Sequence, residues 1–121
     1  VYFAPLDVYL KKTETYQPDL IFISAERLGI IGGNKIEGAP DIVAEVLSPS
    51  TAYYDLRHKR EEYRKAGVQE YWIVDPIESS IEIYENTGDD FLLYSSARGK
   101  GTVRSKLYPE IEADAEDFFR E

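Results

Sequence analysis

The stretch DIVAEVLSPSTAYYDLRHKREEYRKAGVQEYWIVD, Asp41–Asp75, contains the pattern that decides the fold. Its opening, Ile42–Leu47, is a short apolar run ended by Ser48-Pro49-Ser50-Thr51, which reads as a buried strand followed by helix-capping candidates. Asp55 to about Ala66 reads as a helix, with Asp55 as a cap and Gly67 placed to end it in the left-handed conformation. Glu70–Asp75 returns as a strand, stopped by Pro76. A strand–helix–strand unit of this kind predicts a right-handed crossover. The fold class is therefore α/β or α+β, with a mixed sheet carrying a core helix.

Upstream, Val1–Leu10 reads as one strand and Leu20–Ser24 as a short buried strand entered through Gln17-Pro18-Asp19. Gly29–Pro40 is rich in turn residues and reads as a connecting loop. Downstream, Ser80–Glu85, Phe91–Ser95 and Thr102–Ser105 predict a meander, and the acidic tail a short closing helix. The centre of the sheet is expected to be Leu20–Ser24, Ile42–Leu47 and Glu70–Asp75, with the helix packed on it through Leu56 and Tyr63.

At 121 residues, residues 1–121 form one domain by length, able to bury a real core. No apolar run approaches the ~20 residues that span a bilayer. The absence of cysteine excludes disulfides and thiolate metal sites and suits a reducing cytoplasm; a lone His58 builds no histidine-rich site. Methionine is absent even at position 1, so the chain is expected to be a piece of something longer. The net charge of −9 repels nucleic acid on average, yet five basic residues cluster at Arg57, Lys59, Arg60, Arg64 and Lys65.

Alternation along Ile42–Leu47 sends Asp41, Val43, Glu45 and Leu47 to one face and Ile42, Ala44 and Val46 to the other. Glu45 then sits between two apolar neighbours. Such a glutamate ordinarily meets water, and Pro18-Asp19 is an ordinary way to begin a strand. Were the two strands neighbours, Asp19 and Glu45 could share one divalent cation as hard oxygen ligands suited to Mg2+ or Mn2+. On the helix, Leu56, Lys59, Tyr63 and Ala66 share one face at helical spacing. A lysine there ordinarily snorkels outward; beside two inward carboxylates it is better explained as part of the same site. Arg57, Arg60 and Arg64 are the candidates for phosphate contacts, against an ordinary solvated face paired with Glu61 and Glu62.

The segments PDLIFIS, GAPDIVAEVLSPST and DLRHKREEYRKAGVQEYWIVDP, spanning Gln17 to Pro76, resemble the Uma-type family of bacterial putative restriction endonucleases, a branch of the PD-(D/E)xK nuclease superfamily. The resemblance implies a restriction-endonuclease-like fold, with the core helix after the third strand, and magnesium bound by Asp19 and Glu45. The superfamily's lysine, two positions after the second acid, falls on Leu47 and is missing. The resemblance then implies Lys59 as the ammonium. It also implies a further helix-and-strand segment ahead of residue 1.

These readings lead to a metal-dependent endonuclease domain hydrolysing phosphodiester bonds in DNA, with Asp19, Glu45 and Lys59 catalytic and a homodimer expected. The alternative is a catalytically inactive nuclease fold serving as a protein-interaction module, favoured by Leu47 and the acidic charge. The aromatic segments at Tyr71-Trp72 and Phe91–Tyr94 are the expected self-association surface.

Overall fold

The computed structural model describes residues 2–3, 7–11, 14–16, 20–22, 31–32, 35–37, 40–48 and 53–119, with side chains described for 40–48 and 56–119. The strands in chain order are β1 (Tyr2–Phe3), β2 (Asp7–Lys11), β3 (Glu14–Tyr16), β4 (Leu20–Phe22), β5 (Ile31–Gly32), β6 (Lys35–Glu37) and β7 (Ile42–Val46). Helix α1 (Tyr53–Ala66) leads into β8 (Glu70–Asp75), β9 (Ser80–Asn86), β10 (Phe91–Arg98), β11 (Thr102–Arg104), β12 (Glu112–Asp114) and α2 (Ala115–Phe118).

A six-stranded mixed sheet in the order β1-β4-β7-β8-β9-β10 organises the chain. The β7–β8 pair is parallel, Ile42↔Glu70 to Val46↔Val74, with α1 as its crossover connection. β4 lies antiparallel on the other side of β7, pairing Leu20↔Ala44 and Phe22↔Ile42. The central trio expected from sequence is thus adjacent in one sheet.

Both faces of β7 and β8 are covered, which is why these strands read as near-continuous apolar runs. On the α1 face, Val43, Tyr63, Val68, Tyr71, Ile73 and Phe91 form one core, with Leu47, Leu56 and Ala66 packed against it. On the opposite face, Ile42, Ala44, Trp72, Val74, Ile81 and Ile83 meet Val103 and Ala115 from the C-terminal segment.

Helix α1 ends as its sequence dictates. Gly67 takes φ +97, a conformation that a Cβ would strain, and its N–H donates to Arg64 O at 3.2 Å while Val68 N–H donates to Tyr63 O at 3.0 Å. The Asn86 amide adds donors to Arg64 O and Val68 O, so the β9 end caps the helix. Residues Val68 and Tyr63 also meet in the core, completing the motif.

Several expectations are corrected. The helix begins at Tyr53, two residues before the proposed Asp55 cap. Val1–Leu10 is two strands in different sheets; Pro5, which has no N–H for a ladder, falls between them in the sequence. The stretch Gly29–Pro40, read as a loop, contains β5 and β6, paired Ile31↔Ile36 and Gly32↔Lys35. Strand β6 joins β2 in parallel within a four-stranded sheet, β3-β2-β6-β5. The meander stops at β10, because β11 leaves it to pair with β12. Tyr71, Trp72 and Phe91 are buried at 0%, 9% and 1% exposure, which removes them from any self-association surface. Leu92, Leu93 and Tyr94 remain exposed on the edge strand β10.

Candidate active site

Strand β7 presents Glu45 to the α1 face, as alternation requires, and the residue is 6% exposed. Burying a carboxylate is costly unless charge and hydrogen bonds compensate it. Helix α1 supplies both from positions one turn apart. The Tyr63 hydroxyl donates to Glu45 Oε1 at 2.9 Å, and Lys59 Nζ stands 3.7 Å from the same oxygen. The phenol is fully buried; the lysine side chain is one-third exposed (33%), at the rim.

Tyr71 on β8 completes the wall. Its ring packs on Tyr63 at 5.7 Å between centroids and on Phe91 at 5.4 Å. Burial first, then the Glu45 charge, push its phenol well above the usual tyrosine range. Among the described residues nothing hydrogen-bonds the Tyr71 hydroxyl.

Asp19 lies outside the described residues; β4 begins one residue later, and its Leu20 pairs with Ala44, the neighbour of Glu45. Leu47 packs on the α1-face core as an apolar residue, and its N–H donates to Val74 O at 2.8 Å. Among the described residues no three acidic or histidine side chains converge on a point where an ion could sit. Glu45 therefore contributes one hard oxygen donor, which fits Mg2+ or Mn2+ chemistry only in company with further ligands.

A family model described as "Uma2: Putative restriction endonuclease" matches residues 1–116. The chain belongs to the Uma2 family. A protein of Synechocystis sp. described as uncharacterized is 28% identical over 102 residues, covering 83% of this chain and 58% of that protein. The crystal structure of "a putative nuclease belonging to DUF820" from Anabaena variabilis superposes with a TM-score of 0.73 over 97% of this chain and 66% of that one. At 20% identity this likeness establishes the shared fold. The chain thus spans less than two-thirds of the length of both relatives.

Within this Uma2 chain the three arginines of α1 divide. Arg60 donates to Phe91 O at 2.7 Å, pairs with Asp90 at 3.6 Å and lies 4.9 Å over the Tyr84 ring. Arg64 donates to Gly88 O at 2.8 Å and to Glu61 at 2.9 Å. Both tie α1 to the β9–β10 connection, whereas Arg57 is exposed.

Sequence reasoning placed Tyr63 in the core for its ring and missed its hydroxyl. The signal was present: Lys59 and Tyr63 stand four residues apart on the stripe facing Glu45, and a buried carboxylate needs a donor. Glu70 was missed altogether. It is 2% exposed, and its Oε2 accepts from Trp72 Nε1 at 2.8 Å and Ser105 Oγ at 2.7 Å. Its Oε1 accepts from the backbone N–H groups of Lys106 at 2.9 Å and Leu107 at 3.2 Å. This carboxylate fastens the C-terminal segment to β8.

Proposed function

We propose that this chain is the catalytic domain of a metal-dependent endonuclease that hydrolyses phosphodiester bonds in DNA, acting in the cytoplasm. The observation that carries the reading is the buried Glu45 carboxylate with the Lys59 ammonium beside it, on the α1 side of the β7–β8 pair. Family membership and the nuclease-like fold support it.

Glu45 and Asp19 are the proposed ligands for Mg2+ or Mn2+. Asp19 directly precedes the strand whose first residue pairs beside Glu45. When bound, the cation supplies Lewis acidity, lowering the pKa of a water and screening the scissile phosphate. Lys59, at the partly exposed rim, orients the attacking water and balances charge developing on the phosphate oxygens. The water oxygen bonds to phosphorus as the ester P–O bond breaks; the proton that the water gives up passes to solvent, and the departing sugar oxygen takes one up from solvent. Arg57, exposed on α1, and Arg60 and Arg64 on the same helix are the proposed phosphate contacts.

Cleavage of single- and double-stranded DNA with magnesium, manganese or chelator tests this. Cation-dependent cleavage lost in Glu45→Gln and in Lys59→Ala is the expected result. Leu47 at the superfamily's lysine position favours a second reading, an inactive fold used as a protein-interaction module. Failure to cleave with either cation would select it.

A further inference from the structure

Of the four buried carboxylates among the described residues, Asp41, Glu45, Glu62 and Glu70, the two that lie within strands of the central sheet, Glu45 and Glu70, are handled differently. Both oxygens of Glu70 accept from neutral groups, a closed arrangement built for fastening. At Glu45 the Tyr63 hydroxyl, as donor, and the Lys59 ammonium, as ion-pair partner, come from one helix face and converge on a single oxygen, Oε1. They are not equivalent. Lys59, one-third exposed and 3.7 Å away, balances charge without defining direction. Tyr63 is fully buried, clamped through Tyr71 to Phe91, and 2.9 Å from its acceptor.

We propose that Tyr63 is a positioning residue: its hydroxyl holds Glu45 Oε1 and thereby fixes the orientation in which the carboxylate meets a divalent cation. This rests on the reading of Glu45 as a metal ligand. A glutamate side chain has three torsions to order, and a donor on a rigid buried ring orders them before the cation arrives. A phenol hydroxyl, unlike an ammonium, is a neutral donor. It satisfies the burial of Glu45 without opposing a cation, as a second ammonium would. Hydrogen-bonding partners of this kind typically set ten- to a hundredfold in metal affinity.

The test is Mn2+ titration of the full 121-residue chain by calorimetry, with free Mn2+ followed by electron paramagnetic resonance, and thermal melts in chelator to report folding. The parent is compared with Glu45→Gln, with Tyr63→Phe, and with Tyr63 replaced by 4-aminophenylalanine, which keeps the ring and a weaker donor. Tyr63→Phe should bind Mn2+ roughly ten- to a hundredfold more weakly, with the 4-aminophenylalanine chain in between. A merely structural Tyr63 would lower the melting temperature and leave affinity alone. If Glu45→Gln loses binding while folded Tyr63→Phe matches the parent, the positioning role is overturned and the metal reading stands. If the parent binds no Mn2+, or Glu45→Gln binds equally well, both fall. Should Tyr63→Phe not fold, the 4-aminophenylalanine chain decides alone: weaker binding than the parent supports the role, and equal binding overturns it.

Discussion

Glu45 separates a site from a scaffold. In Glu45→Gln the amide oxygen still accepts from Tyr63, and Lys59, already one-third exposed, can turn its ammonium to water. The substitution should therefore change stability in chelator by less than about 1 kcal/mol, after discounting the pair for solvent screening. Stabilisation by added magnesium should shrink, because the folded state loses a ligand. Thermal melts in both conditions read this; a loss of ~3 kcal/mol or more regardless of metal would make the pair structural and defeat the metal site. Tyr71 makes a different prediction. Its hydroxyl is buried without a partner among the described residues, so Tyr71→Phe should hold or raise stability by about 1 kcal/mol. The raised phenol pKa has a definite sign. Above about pH 10 the unfolded chain releases this proton first, so stability is intact below that pH and falls as pH rises toward the folded-state value. Urea titrations between pH 8 and about 11 should show a shallower alkaline loss in Tyr71→Phe than in the parent.

Among elements, β8, like β7, pairs on both edges and packs on both faces. Glu70 at its start joins it to residues 105–107 through three hydrogen bonds, with a fourth from Trp72 within the strand. Glu70→Gln keeps the shape, but its NH2 cannot accept, which strands donors in the interior. The expected cost is roughly 2–3 kcal/mol, read by urea unfolding. Loss below ~0.5 kcal/mol would mean that water replaces those bonds freely. Helix α1 joins the two scales: its sheet-facing stripe delivers Lys59 and Tyr63, while Arg60 and Arg64 hold the β9–β10 connection.

For the whole molecule, three consecutive exposed apolar side chains among the described residues lie on the edge strand of the sheet. Leu92, Leu93 and Tyr94 are 55%, 54% and 48% exposed on β10, whose outer hydrogen-bonding edge ends the six-stranded order. Exposed apolar edges invite pairing. Self-association through β10 is expected, detected by sedimentation as a concentration-dependent dimer and lost in Leu93→Lys with no fall in melting temperature. A strict monomer at high micromolar concentration would rule it out. Among the described residues no helix is long and apolar enough to cross a membrane.

What the sequence by itself determined was local. The alternation of Asp41–Leu47 set which face Glu45 occupies, apolar runs marked the strands covered on both sides, Gly67 marked the helix end, and four-residue spacing put Lys59 and Tyr63 on one stripe. Each follows from backbone geometry within a few residues. Only the tertiary structure decided that Tyr63 donates to Glu45, that Glu70 is held by a segment 35 to 37 residues away, and that β11 leaves the meander for β12. It also placed β6 beside β2 in parallel, across a stretch whose turn residues had pointed to a loop. Alternation specifies a face but not the neighbour that covers it. A buried carboxylate demands donors without specifying which segment brings them; that choice belongs to the packing of the entire chain.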